Sequence, residues 1–414
     1  MKKAIMWIVN YLKVGLAWLL DFVNWAYDPF KEFTRPDDIK YAERLNEKEA
    51  KFSMDMERFW WPARKVYLYT LPGNSGDQCL HHGIYTAMTA CKYAVTKDEI
   101  TLSKLKDCAL GLRMHQVSDS GDEIRLIRGW RSDATYEDNV SNDQASGHVL
   151  GIYFLWKYGD ILSRNMSRGL IVGLANELLA HDNCFVNADE TPTPFGKLVD
   201  GYLTDPLNLT LCLVIYKLAH EMTDDVRYEV AYNDILSLYK PLIPYANLKL
   251  WWWKQDSCAV RAAIHYTILC DLEKDHDTQR MYLRGLLRTW RMERKTANPL
   301  VYFLMRRICL YDPAYEDRIR RHLREMTLED KGSNIERINS TRAGVESFKW
   351  GNYLRSRQPL ALWRMGAQDS FWLRNLSSVD DWVGNKVPDT QYNGGDFLIA
   401  YWGLRSLGII GSAE

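Results

Sequence analysis

Apolar residues recur at helical spacing along most of the chain, and they predict helices of two alternating kinds. Segments 77–95, 143–158, 206–222, 257–272 and 299–310 are apolar and rich in small residues, as helices buried on every side would be. Each is followed by a more polar segment: 99–116, 161–181, 226–242, 278–295 and 315–326. A last apolar segment, 396–407, has no successor, and its natural partner is the charged amphipathic segment 39–61, which ends near Pro62. Closing that pair makes six hairpins, each with an apolar inner helix and a polar outer one.

The turns repeat too. An acidic or amide residue stands at the predicted start of each apolar helix: Asp77, Asp143, Asp205, Asp256, Asn298 and Asp396. Asp and Asn cap the unpaired N–H groups of a first turn, and Pro206 and Pro299 suit the first helical position. The first two helices share more. Gln78 and Gln144 follow the Asp, His82 and His148 stand five residues after it, and Gly-Ile-Tyr recurs at 83–85 and 151–153. The register drifts by two residues between them, so the internal repeat is weak. Helical repeats of roughly 40 to 65 residues nonetheless predict a closed or stacked array. Two segments break the rhythm. Residues 117–140 form a polar loop with room for short strands, and 331–394 are rich in Trp, Arg, Asn and Gly.

Residues 1–33 read as a separate unit. Lys2 and Lys3 precede the run 4–23, which is long enough to cross a bilayer but is interrupted by Asn10, Lys13 and Asp21. Charges are costly inside a lone span, and Asn24-Trp25-Ala26 is not the small-x-small site a signal peptide needs. The three polar residues fall near one side of a helix, with Ala17 between them. A narrow polar stripe on a broad apolar surface predicts a helix that docks on a membrane surface, on a protein partner or in a homo-oligomer. Packing against its own domain is the alternative. Residues 34–414 are expected to form one helical domain.

This arrangement, with Gly76-Asp77-Gln78, Asn142-Asp143-Gln144 and the Trp-rich loops, resembles the six-hairpin glycosidase-like (α/α)6 toroid superfamily over residues 39–410. The resemblance implies an all-α toroid with short β-elements in its loops. It also implies activity on a carbohydrate, by hydrolysis or elimination at a glycosidic linkage of an acidic or complex glycan. Toroids of this shape also serve as prenyltransferases and terpene cyclases, which need a metal. Cys79-Leu80-His81-His82 could supply zinc ligands, but no second ligand pair stands out, so neither metal nor cofactor is expected.

In such a toroid the inner-helix N-termini converge on one mouth, which would bring Asp77 and Asp143 together. Paired carboxylates are what glycosidic cleavage requires, one as general acid and the other as base or nucleophile. Plain helix capping is the other reading of both. His81 lies one turn after Asp77 on the same face and could relay protons. Expected around them for substrate binding are His82, Gln144, His148, Asp256 and Asp396, with Arg125 and Arg128 as a fork for substrate carboxylates. Trp130, Trp252, Trp350 and Trp372 would stack on sugar faces, packing between helices being their alternative.

Composition adds three points. Sixteen Trp, 24 Tyr and 12 Phe exclude a disordered chain. Fifty-three basic against 53 acidic residues leave no net charge, which argues against a nucleic-acid binder. The eight cysteines form no C-x-x-C and five lie in apolar helical stretches, the pattern of a reducing compartment. The rival to an enzyme is a non-catalytic structural or binding component of a virion or cell-envelope assembly, anchored through residues 1–30.

Overall fold

The computed structural model describes residues 2–26, 44–68, 70–71, 76–118, 124–247, 257–293, 298–308, 313–326, 391–392 and 394–414. Its helices, in chain order, are α1 (Lys2–Ala26), α2 (Leu45–Met56), α3 (Gln78–Thr96), α4 (Glu99–Met114), α5 (Asn142–Tyr158) and α6 (Ile161–Ala180). There follow α7 (Pro206–Thr223), α8 (Val226–Tyr239), α9 (Ser257–Leu272), α10 (His276–Glu293), α11 (Pro299–Ile308), α12 (Pro313–Glu325) and α13 (Gly395–Ser406).

The helices pair as expected: α3 packs on α4, α5 on α6, α7 on α8, α9 on α10, α11 on α12, and α13 closes on α2. The first member of each pair also meets its neighbours, in the order α3, α5, α7, α9, α11, α13 and back to α3, so a ring of inner helices is complete. Their residues explain the placement. α5 is buried without a break from Gln144 to Leu155, as a helix apolar on all sides must be. The outer α8 buries Tyr228, Tyr232, Ile235 and Tyr239, a single stripe at spacings of four, three and four. The first three turns from inner to outer helix use an Asp cap: Asp98 accepts from Thr101 N at 2.7 Å, Asp160 from Ser163 N at 2.9 Å, and Asp225 from Arg227 N at 2.9 Å.

The repeated Gly-Ile-Tyr has a packing origin. A Cβ on Gly83 would lie 2.0 Å from the carbonyl oxygen of Gly147, and one on Gly151 would lie 2.9 Å from that of Gly83. α3 and α5 therefore touch backbone to backbone, which only glycine permits.

Short antiparallel pairs fill the loops. β1 (Trp60–Trp61) pairs with β2 (Val66–Tyr67), β4 (Gln116–Val117) with β5 (Arg125–Leu126), and β6 (Gly129–Trp130) with β7 (Tyr136–Glu137). β8 (Cys184–Val186) pairs with β9 (Pro192–Lys197), and β3 (Thr70–Leu71) with β10 (Gln391–Tyr392). One expectation is corrected here: the segment 39–61 does not stay helical to its end. α2 stops at Met56, and Trp60 and Trp61 turn into the hairpin, where Trp60 packs on Tyr67 with ring centroids 4.7 Å apart.

α1 lies outside the ring, against α8 and the 3-10 turn Gly201–Leu203. Asn10 donates to the Leu238 carbonyl at 3.2 Å, Lys13 to that of Tyr202 at 2.5 Å, and Ala17 is fully buried. Asn10 and Lys13 of the polar stripe thus lie on the face that packs. The seven cysteines among the described residues are buried and unbridged.

Candidate active site at the inner-helix N-termini

The inner helices all begin on one side of the ring, and the residues expected to start them divide into two groups. Asp205 and Asn298 are true caps: Asp205 accepts from Leu207 N at 2.8 Å, and Asn298 from Leu300 N and Val301 N at 3.0 and 3.2 Å. Asp77 holds the cap position of α3 but bonds no first-turn N–H of that helix. Its Oδ1 instead accepts from the side-chain amide of Gln144, on the neighbouring hairpin, at 2.9 Å, and Arg128 stands 3.8 Å from it.

Asp143 is not a cap at all. Ser141 holds that position in α5, its N–H donating to Gln144 Oε1 at 2.6 Å. Asp143 sits inside the first turn and accepts from the backbone N–H of Gln144 at 3.1 Å. Gln144 is fully buried, and its amide also donates to the Gly76 carbonyl at 3.1 Å. One glutamine therefore binds the starts of two hairpins together, and the half-buried carboxylates of Asp77 and Asp143 flank it.

Arg128 donates to the Gly76 carbonyl and also lies 3.8 Å from Glu137, so Asp77 and Glu137 share one guanidinium. Nothing in the sequence pattern singles out Glu137; the β6–β7 register, which sets it opposite Gly129, brings it here. Arg125 is committed elsewhere: it pairs with Asp138 at 2.8 Å and reaches the Tyr136 hydroxyl at 3.2 Å. The expected arginine fork is therefore divided. Trp130 gives its indole N–H to the Met114 carbonyl at 2.8 Å, and the Arg64 guanidinium covers its ring at 4.0 Å.

The histidines correct the expectation most. His82 accepts from Tyr67 N at 3.2 Å through Nδ1 and bonds the Cys108 carbonyl at 2.9 Å through Nε2, so both ring nitrogens are engaged by backbone. His148 is fully buried, with Nδ1 3.6 Å from Cys79 Sγ and Nε2 3.2 Å from the Gln116 amide. His115 stacks on His82 and meets His148 edge-on, with centroids 5.5 and 6.4 Å apart. Burial pushes His81 and His82 down to about 3 and His115 to about 4, the neighbouring His115 adding to the fall at His82. His148 is lowered well below its ordinary value by burial and then by its two histidine neighbours. These rings are neutral struts of the core at neutral pH. In that state His81 has no proton to give as a charged acid.

Asp396 is fully buried in the first turn of α13. Trp252, Asp256, Trp350 and Trp372 lie outside the described residues. Among the described residues no three His, Cys, Asp or Glu side chains converge as a metal site requires.

A further polar cluster occupies the same mouth. Arg261 on α9 donates to Asn142 Oδ1 and lies 3.3 Å from Cys258 Sγ, while Asn142 Nδ2 donates to Asn208 Oδ1 at 2.6 Å. Burial acts to lower the Arg261 pKa, but Cys258, Asp143 and Asp205 outweigh it and hold the guanidinium above its ordinary value. The signal for it was present: an arginine in the otherwise apolar run Cys258-Ala-Val-Arg-Ala-Ala-Ile264.

Among solved structures, a family 76 glycoside hydrolase from a bovine Bacteroides thetaiotaomicron strain is similar at a TM-score of 0.50, covering 89% of this chain and 79% of its own at 10% identity. The chain is an (α/α)6 toroid. A cellobiose 2-epimerase from Spirochaeta thermophila DSM 6192 is similar at a TM-score of 0.47, covering 90% of this chain and 99% of its own at 12% identity. No protein-family model matches the chain, and no curated protein matches it in sequence.

The opposite side of the toroid, where the inner helices end, carries a polar cavity of about 350 Å³. Lys217, His220, Tyr232, Asn233, Glu273 and Thr278 line it. Glu273 accepts from the Tyr232 hydroxyl at 2.5 Å and from Asp275 N at 3.0 Å, and pairs with Lys217 at 3.2 Å. Burial acts to raise its pKa, yet these donors prevail and hold the carboxyl below its ordinary value.

Proposed function

We propose that the mouth formed by the inner-helix N-termini binds an acidic or complex glycan and cleaves a glycosidic linkage, with Asp77 and Asp143 as the acid–base pair. The observation that carries this reading is Asp77 itself. It occupies a cap position without capping, and its carboxylate is turned instead toward Gln144, with Asp143 on the other side of the same residue. Its carboxylate is held across the mouth by Gln144 and Arg128, whereas Asp205 and Asn298, at matching positions, bond their own first turns. The glycoside hydrolase that shares the fold supports carbohydrate as the substrate class. Arg128 and Arg261 are the guanidinium groups at the mouth for a substrate carboxylate. Catalysis by such a pair requires one carboxyl to protonate the leaving oxygen while the other activates water or attacks the anomeric carbon.

The test is turnover on a panel of acidic and neutral glycans by the wild type, Asp77→Asn and Asp143→Asn. Each substitution should lower kcat by about a thousandfold or more with the thermal transition unchanged. Wild-type rates in both variants would remove the reading, as would a wild type inactive on every glycan. The second outcome would leave a non-catalytic binding component, a role favoured by the outward apolar face of α1.

A further inference from the structure

α1 is amphipathic in the inverse sense. Its polar stripe, Asn10 and Lys13 with Ala17 between them, packs on the toroid, and its apolar side faces outward. Ile8, Leu12 and Leu19 are 62%, 70% and 58% exposed, and Ile5, Leu16, Tyr11 and Trp18 are exposed beside them. At about 100° per residue these side chains cover an arc of about 160°. Ile5, Ile8, Leu12 and Leu19 hold its middle, and Tyr11 and Trp18, seven residues apart, form one edge.

We propose that this face lies on an anionic lipid surface, with α1 parallel to the bilayer plane and the toroid held against it. Three observations select lipid over a second copy of the chain. The arc is too wide for one helix to cover, since a helix–helix seam uses a narrow stripe, whereas a fluid surface wets all of it. Lys2 and Lys3 at the start of α1 outnumber Asp21, the one acidic residue of the helix, and this positive balance complements anionic headgroups. The two edge aromatics stand at the border of the apolar arc, where indole and phenol rings prefer the headgroup level. Among the described residues no helix is long and apolar enough to cross a membrane, so α1 would lie on the bilayer and not span it. This inference does not depend on the glycan reading.

The experiment is flotation of the full chain with vesicles of 70% phosphatidylcholine and 30% phosphatidylglycerol (values of roughly this order suffice, since they set a surface charge), beside vesicles of phosphatidylcholine alone. The wild type should float with the charged vesicles, and the triple variant I8E/L12E/L19E should lose at least about tenfold in partitioning, because three apolar side chains no longer enter the interface. These positions are exposed, so the variant should keep the wild-type thermal transition, measured in parallel. Failure of the wild type to float overturns the proposal, and so does flotation that survives the triple substitution. A wild type that stays with the solvent while forming a dimer that the variant breaks identifies a second copy as the occupant instead.

Discussion

Lowering the pH from 7 to 5 should remove a large part of the stability of this fold, because five of its buried histidines are held neutral. His81 and His82 are held by burial to about 3 and His115 to about 4. His148 and His265 are lowered well below their ordinary value, burial again leading in both. His265 is fixed between Ser146 and Thr210, each hydroxyl 3.0 Å from a ring nitrogen. In the unfolded chain each histidine takes up a proton near 6.5, whereas in the fold it does not. The unfolded state then binds more protons, and stability falls as the pH drops below 6.5 toward the folded values.

Between pH 7 and 5 His81, His82 and His115 cost about 2 kcal/mol each, about 6 kcal/mol together, and His148 and His265 act in the same direction. Glu177 acts in the other direction. Burial, against the pull of the Leu126 and Val186 N–H groups and Arg125, raises its carboxyl to about 8, so the fold binds a proton that the unfolded chain releases above its ordinary value. It returns about 2–3 kcal/mol over the same interval. The net loss is then at least about 3 kcal/mol, a large share of the whole stability of a typical domain, about 5–15 kcal/mol. Urea unfolding followed by circular dichroism at pH 7, 6 and 5 measures it, and titration of the imidazole Cε1 protons by NMR checks the cause. A stability change under about 2 kcal/mol would refute the reasoning, as would ring protons titrating near 6.5 in the folded protein.

Two further outcomes test packing and the far cavity. Gly83→Ala should destabilise the protein by about 3 kcal/mol or more in urea unfolding, since its Cβ meets the Gly147 carbonyl. Gly169→Ala, with nothing within 4 Å on an exposed face of α6, should instead stabilise it by about 0.5–1 kcal/mol. Glu273→Ala leaves Lys217, whose side chain is 13% exposed, without its carboxylate, and should cost about 3–5 kcal/mol by the same assay. Glu273→Gln, which can still accept from the Tyr232 hydroxyl, should cost less; equal losses would show that this hydrogen bond contributes nothing there.

The ring of hairpins was legible because inner and outer helices carry different periodicities, and only burial on all sides or on one side produces that difference. What the pattern did not separate was two uses of one residue type at one position. Asp77, Asp205 and Asn298 look alike along the chain, yet two bond their own helix and the third bonds across to Gln144. That choice depends on which side chain the neighbouring hairpin presents, a contact between residues 67 positions apart. The histidines misled for the related reason that His82 and His148 share an offset from an aspartate without sharing its exposure. Past the first turn an inner helix has already entered the core, where neighbouring polar groups take the imidazole nitrogens, backbone for His82 and hydroxyls for His265.

α1 reverses the usual logic of amphipathic helices, and the reversal is physically informative. A helix that merely completed its own domain would turn Ile8, Leu12 and Leu19 inward and leave Lys13 in water. Here Lys13 is desolvated enough to lower its pKa, with only partial relief from Asp205, while the leucines remain outside. Burying an ammonium group and exposing apolar side chains are both unfavourable for an isolated chain in water. Met6 and Val14 pack on the core beside Lys13 and offset part of that cost, and a surface covering the outward face would offset the rest. If α1 lies on lipid as proposed, the bond of Asn10 to α8 sets how the mouth of the toroid is held relative to that surface.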